Sequence, residues 1–109
     1  MSEIDKVAVF ERAAQLVETG WCQGTSALDA EGLPARWDSP KAVCFCAMGA
    51  IARALQDVSG WTQLKHSEAM TMVMGGLKFA GATTGLVKWN DAQERTRHEV
   101  ATLLRMVGK

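Results

Sequence analysis

The 109-residue chain has no excess of charge of either sign, because twelve Lys and Arg residues balance twelve Asp and Glu residues. This balance argues against nucleic acid as a partner and against a polybasic segment on a membrane surface. No apolar run approaches the about 20 residues that a membrane-spanning helix needs. Acidic residues at Glu3, Asp5 and Glu11 are unlike a signal peptide. We therefore expect a cytoplasmic protein with no membrane partner.

Cysteine is scarce, with only Cys22, Cys44 and Cys46. An odd count without a secretion signal favours a reducing compartment and no disulfide framework. Cys44 and Cys46 are the only close pair, and on a helix their side chains would point apart, so they could not share one ion. We expect no metal and no cofactor, and we interpret both residues as small buried side chains.

Apolar residues make up 48% of the chain, which is enough for one core and predicts a single domain over residues 1–109. Their spacing predicts an all-α fold of about four helices around a central apolar helix. The first helix is predicted from Ser2 to Thr19, with Gly20 ending it. Its apolar stripe is Ile4, Val7, Phe10, Ala14 and Val17.

The central helix is predicted over residues 40–58. Ser39 can cap it and Pro40 suits its first position. Almost no charge follows until Arg53, so this helix is expected to be buried.

Two further helices are predicted after residue 60. The third starts near Ser67, has an apolar stripe of Met70, Val73, Met74 and Leu77, and is weakened at Gly75-Gly76. Gly81, Thr83, Thr84 and Gly85 are predicted to form a loop. The last helix starts at a capping box of Thr96 and Glu99. It has a core stripe of Val100, Leu103, Leu104 and Val107, and it ends at Gly108.

Residues 21–39 show no helical periodicity, and nineteen residues are long for a connection in so small a domain. Trp21 and Trp37 can each bury a large ring, so we expect an ordered loop packed across one end of the helices. A short β-hairpin around Asp29–Gly32 is the alternative.

Four residues follow the order of oxyanion donor, nucleophile, base and orienter in papain-like enzymes: Gln23, Cys46, His66 and Asn90. In the predicted central helix, however, Cys46 lies almost two turns from the N-terminus, beyond the reach of the helix dipole. Cys22 follows a helix C-terminus, which disfavours a thiolate. A hydrolase or transferase that uses Cys46 or Cys22 is therefore an alternative function.

Two clusters, Trp21–Gly24 and Trp89–Asp91, place a tryptophan beside hydrogen-bonding side chains. These residues either anchor loops and cap turns, or they form a binding face. The candidate binding residues are Trp21, Gln23, Trp37, Trp89, Asn90 and Asp91. We favour a non-enzymatic module with a protein partner.

Two other associations stay open. Residues 51–109 hold eight basic and five acidic side chains, so weak nucleic-acid binding through this half is a second alternative. Small apolar helical domains without net charge also associate readily, which leaves a homodimer open.

Five short motifs follow one another along the chain. They are W-C-Q-G at Trp21–Gly24, D-x-x-G at Asp29 and Gly32, C-x-x-G-A at Cys46, Gly49 and Ala50, W-N-D at Trp89–Asp91, and T-x-x-E-V at Thr96, Glu99 and Val100. The set resembles a group of short bacterial and bacteriophage proteins known only as a domain of unknown function. The resemblance implies a small, intracellular, mainly helical protein and brings no activity, cofactor or partner with it. A phage-type inhibitor or accessory factor is one form that the binding module could take.

Overall fold

The computed structural model describes residues 4–79, 81 and 85–109. Within them the elements are α1 (Lys6–Thr19), β1 (Ala27–Leu28), β2 (Cys44–Phe45), α2 (Ala47–Val58), α3 (Gln63–Phe79), α4 (Leu86–Asn90) and α5 (Arg97–Gly108). The predicted all-α class is confirmed, with one small antiparallel sheet in addition. None of these five helices combines the length and the apolar character needed to cross a bilayer.

Helix α1 begins at Lys6, because the side chain of Asp5 accepts a hydrogen bond from the Ala8 amide at 3.1 Å. The predicted start at Ser2 is therefore wrong, and Ser2 itself lies outside the described residues. Gly20 ends the helix as predicted. A Cβ at Gly20 would overlap the carbonyl oxygen of Val43, so close approach of the backbone requires glycine here.

The first and last helices form the most extensive contact between elements. The buried residues of α1 are Val9, Phe10, Ala13, Ala14 and Val17. The predicted stripe is therefore wrong at Val7, which is 64% exposed. On the α5 side the buried residues are Val100, Ala101, Leu103, Leu104 and Val107, which confirms the predicted stripe. Arg105 crosses the edge of the interface and pairs with Glu11 at 3.0 Å and with Glu18 at 2.6 Å. Both ion pairs hold the pKa of these glutamates below the ordinary range.

Helix α2 begins at Ala47, so the predicted helical start at Pro40 is wrong. Ser39 does cap a turn, since its hydroxyl accepts a hydrogen bond from the Lys41 amide at 3.1 Å, but that turn does not continue as a helix. The chain instead becomes extended, and Val43 donates its amide to the Leu28 carbonyl at 2.9 Å. Pairing with a distant strand thus overrides a local start signal that favours a helix.

The segment 21–39 is ordered by this pairing. Ala27 lies opposite Phe45, and Leu28 lies opposite Cys44. The alternative of a short hairpin around Asp29–Gly32 is confirmed as a turn closed by an isolated antiparallel bridge between Leu28 and Pro34. In its turn the Asp29 carboxylate accepts hydrogen bonds from the amides of residues 31 and 33 at 2.9 and 3.0 Å.

Helix α3 begins at Gln63, four residues before the predicted Ser67, and runs through Gly75-Gly76 without a break. The face that it buries is Ala69, Val73 and Leu77. The predicted stripe is wrong at Met74, which is 46% exposed. Gly76 lies so close to α5 that an added Cβ would be 2.7 Å from Val107 Cγ2, so packing explains this glycine.

A short helix that the sequence did not predict, α4, precedes the last one. Thr83 and Thr84 of the predicted loop lie outside the described residues. The predicted capping box of α5 is confirmed: the Glu99 amide donates to Thr96 Oγ1 at 3.2 Å, and the Thr96 amide donates to Glu99 Oε1 at 3.0 Å.

Candidate functional site

Asn90 at the end of α4 is completely buried, and all of its side-chain hydrogen-bonding capacity is used. Its Oδ1 accepts from Trp21 Nε1 at 2.8 Å and from the Ala47 amide at 3.0 Å. Its Nδ2 donates to the Cys22 carbonyl at 3.2 Å and to Asp91 Oδ1 at 2.8 Å. These bonds, which we call the Asn90 network, tie the start of α2 to the segment that follows α1.

Gln23 adds further hydrogen bonds between the segment that follows α1 and the end of α4. Its Nε2 donates to the carbonyls of Asn90 and Ala92, both at 2.9 Å. Asp91 Oδ1 also accepts from the Gly24 amide at 3.1 Å. The two predicted tryptophan clusters therefore meet, and Gln23, Asn90 and Asp91 all take part in the hydrogen bonds that connect them.

Cys46 is the N-cap of α2 and not an interior residue, so the predicted position almost two turns inside the helix is wrong. Its Sγ accepts a hydrogen bond from the Gly49 amide at 3.4 Å. A helix N-terminus favours a thiolate, but Cys46 is only 5% exposed, and this burial raises the pKa of its thiol. The location therefore does not activate the sulfur.

The other two cysteines are free as well. Cys22 is buried, its Sγ donates to the Thr25 carbonyl at 3.6 Å, and burial raises the pKa of its thiol to about 12. Cys44 is only half-buried and lies on β2 against Gly20, so the predicted buried position on a helix is wrong for this residue. Across residues 4–79, 81 and 85–109, no cluster of three or more His, Cys, Asp or Glu side chains is arranged to hold a metal ion.

His66, the predicted catalytic base, lies on α3 and forms no hydrogen bond with Cys46. Its imidazole contacts the Trp61 ring at a centroid distance of 5.8 Å, and burial lowers the pKa of His66. Both rings line a small cavity of ≈ 80 Å³, which we call the Trp61 pocket. Its lining residues are Ser26, Trp37, Met48, Gly49, Ala52, Trp61 and His66. Of the four catalytic candidates, Gln23 and Asn90 are bonded together, Cys46 adjoins them through Ala47, and His66 is elsewhere.

A larger concave surface lies beside Trp89. The Arg95 guanidinium lies over the Trp89 ring at 4.0 Å, its Nε donates to the Trp89 carbonyl at 2.9 Å, and it pairs with Glu99 at 3.1 Å. The depression beside this stack, the Trp89 groove, has a volume of ≈ 420 Å³. Its lining residues are Trp89, Arg95, His98, Glu99, Thr102, Leu103 and Met106.

Most residues of the Trp89 groove were not predicted. Trp89 is the one predicted binding residue among those that line it, while Trp37 lines the Trp61 pocket. A signal for the others exists in the sequence: His98, Thr102 and Met106 are spaced by four, which places them on one face of a helix beside the core stripe. Arg95 and Glu99 carry no comparable signal for a groove, because the capping box already explains Glu99.

A family model matches the chain over residues 1–109. The chain belongs to DUF6197, a family of unknown function. Membership of DUF6197 confirms the resemblance to a family of unknown function, whereas the bacterial and bacteriophage origin stays an expectation. Comparison of this DUF6197 chain with curated proteins finds no match, and comparison with solved structures finds none either.

Proposed function

We propose that this DUF6197 protein is a non-enzymatic module that binds a protein partner through the Trp89 groove. The observation that carries the proposal is the composition of this groove, which has an apolar floor of Trp89, Leu103 and Met106 beside the charged pair Arg95–Glu99. Protein interfaces commonly combine an apolar centre rich in aromatic residues and methionine with a polar rim.

The groove is also fixed in shape before any partner arrives. Asn90 holds the chain next to Trp89 through four side-chain hydrogen bonds, two of them buried and two partly buried. Arg95 is bonded to the Trp89 carbonyl, and Glu99 is bonded within the capping box. Side chains that are already ordered lose little conformational freedom on binding, which favours affinity.

The state of the thiols favours a binding role over the cysteine-dependent alternative. A nucleophilic cysteine needs a lowered pKa or an adjacent base. Burial raises the pKa of Cys22 and Cys46, and the imidazole of His66 forms no hydrogen bond with either sulfur. A cytoplasmic location, where reducing conditions keep all three cysteines free, fits this state. A phage-type inhibitor or accessory factor is compatible with the same surface.

The test uses two variants of matched exposure. Met106 is 39% exposed inside the groove, and Val58 is 40% exposed on α2 outside it. Met106→Glu adds a charge to the apolar floor, and Val58→Glu adds the same charge elsewhere. Thermal melts of both variants close to that of the wild type establish that the fold is retained.

Partner capture is then compared quantitatively by mass spectrometry of protein retained from a host lysate. A partner retained by wild type and by Val58→Glu, but reduced at least about tenfold by Met106→Glu, is the expected result. A photo-crosslinking amino acid in place of Thr102 should couple covalently to the same partner. Equal capture by both variants would refute the proposal that the partner binds in the Trp89 groove. A crosslink to a second copy of this chain would identify a homodimer instead.

A further inference from the structure

The Trp61 pocket is a second site, separate from the groove, and three of its seven lining residues are aromatic. The Trp37 and Trp61 rings are 5.7 Å apart with a 40° angle between their planes, and the Trp61 and His66 rings are 5.8 Å apart at 42°. The rings are therefore tilted walls and not a parallel stack. Trp61 is 37% exposed, so part of its ring surface is open to a ligand.

Backbone contacts hold two of the residues that line the pocket in place. Gly49 approaches the Ser26 carbonyl so closely that a Cβ would overlap that oxygen, which fixes the loop wall against α2. On the other side, Arg53 donates to the Trp37 carbonyl at 3.0 Å and so holds that residue in place. A preformed cavity of this kind is typical of small-molecule sites.

The lining residues carry no carboxylate, ammonium or guanidinium group. Burial lowers the pKa of His66, which favours its neutral form. The Arg53 guanidinium, which donates to the carbonyl of Trp37, forms an ion pair with Asp57 at 3.4 Å. Three aromatic residues and Met48 thus make up most of the lining, and none of the seven lining residues is acidic or basic apart from His66.

Two polar groups of the pocket have no partner within the described part of the chain. The Ser26 hydroxyl and the imidazole nitrogens of His66 form no hydrogen bond there. Each can bond to a ligand that carries a hydroxyl close to its apolar part.

We propose that the Trp61 pocket binds a methylated ammonium group, an activity that goes beyond the binding of a protein partner through the Trp89 groove. Aromatic faces, tryptophan above all, attract such cations, and methylation removes the N–H donors that an apolar cavity could not satisfy. The volume of ≈ 80 Å³ corresponds to about two to three water molecules, which suits one small head group.

The test is a titration of the ¹⁵N-labelled protein with choline chloride, followed through the indole N–H signals of its four tryptophans. Saturable shifts are expected for Trp37 and Trp61, whereas Trp21 and Trp89 serve as internal controls. The neutral comparison ligand is the carbon isostere of choline, in which a tert-butyl group replaces the trimethylammonium group. Its affinity should be lower by about 5- to 10-fold, since the cation–π attraction is lost and apolar burial is kept.

Sodium chloride at the same ionic strength should cause no saturable shift. Trp61→Leu should abolish the choline-dependent shift of Trp37 and leave the thermal melt near that of wild type. His66→Leu, which keeps both tryptophans, should weaken binding less. Absence of any saturable shift in the wild type, or equal affinity for the neutral isostere, would overturn the proposal whether or not either variant folds.

Discussion

Replacing Asn90 by leucine should show how much the hydrogen bonds of the Asn90 network contribute to stability, independently of the packing of this side chain. Leucine has a similar size, so the cavity stays filled while all four side-chain hydrogen bonds are lost. The Ala47 amide and the Cys22 carbonyl then remain buried without these partners. Trp21 is only half-buried, so its Nε1–H can turn toward water.

The magnitude follows from the groups that are left unpaired. Each buried polar group without a partner costs about 1–3 kcal/mol. Two such groups, with a smaller contribution from the indole, predict a loss of about 3–5 kcal/mol in the free energy of unfolding. Domains of this size have about 5–15 kcal/mol in total, and the melting temperature should fall by roughly 15–25 °C.

Urea denaturation followed by circular dichroism measures this loss, and two further variants serve as comparisons. Gln23→Leu removes two hydrogen bonds at the exposed edge and should cost about 1 kcal/mol. Asn90→Asp keeps the shape but places a second carboxylate beside Asp91 Oδ1, so its deficit should shrink as the pH falls and the new carboxyl becomes protonated. A loss below about 1 kcal/mol for Asn90→Leu would show that the network contributes little to stability.

Two further predictions concern stability. Gly75→Ala should stabilise α3 by about 0.5–1 kcal/mol, because the added Cβ meets nothing within 4 Å. Gly76→Ala should lower the free energy of unfolding by about 1–3 kcal/mol, because its Cβ would lie 2.7 Å from Val107 Cγ2. Equal effects of the two variants in urea denaturation would contradict the packing argument. Above about pH 9 the unfolded chain releases thiol protons that folded Cys22, with its pKa of about 12, retains, so stability should fall as the pH rises toward 12. This decline should be shallower in Cys22→Ala, and identical urea midpoints across that pH range for wild type and variant would contradict the raised pKa.

Local signals correctly predicted the end of α1 and the start of α5, whereas the start of α1 lies at the Asp5 cap and not at Ser2. The stop at Gly20 and the capping box of Thr96 and Glu99 each require only groups within four residues along the chain. The apolar stripe of α5 is equally local, because helical periodicity alone defines it. The same periodicity placed Val7 in the stripe of α1, but that residue is 64% exposed.

The predictions from the sequence were wrong, or absent, for features that depend on residues far apart in the chain. Ser39-Pro40 is a sound helix start by local chemistry, yet residues 43–45 pair with a strand formed far back in the chain. Because α2 begins at Ala47 and not at Pro40, Cys46 is the N-cap of the helix and not a residue in its interior. The Asn90 network is formed across sequence separations of 43 and 69 residues, which no pattern within one segment reveals.

The pairing of the first and last helices has a consequence for synthesis of the protein. Lys6 Nζ donates to the carbonyl of Lys109 at 2.8 Å, although 103 positions separate them. During synthesis α1 leaves the ribosome before α5 has been made, so the surface that α5 covers is exposed to water until α5 follows. The contact between these two helices is therefore expected to form late in folding, and the apolar face of α1 is one that a chaperone could bind in the meantime.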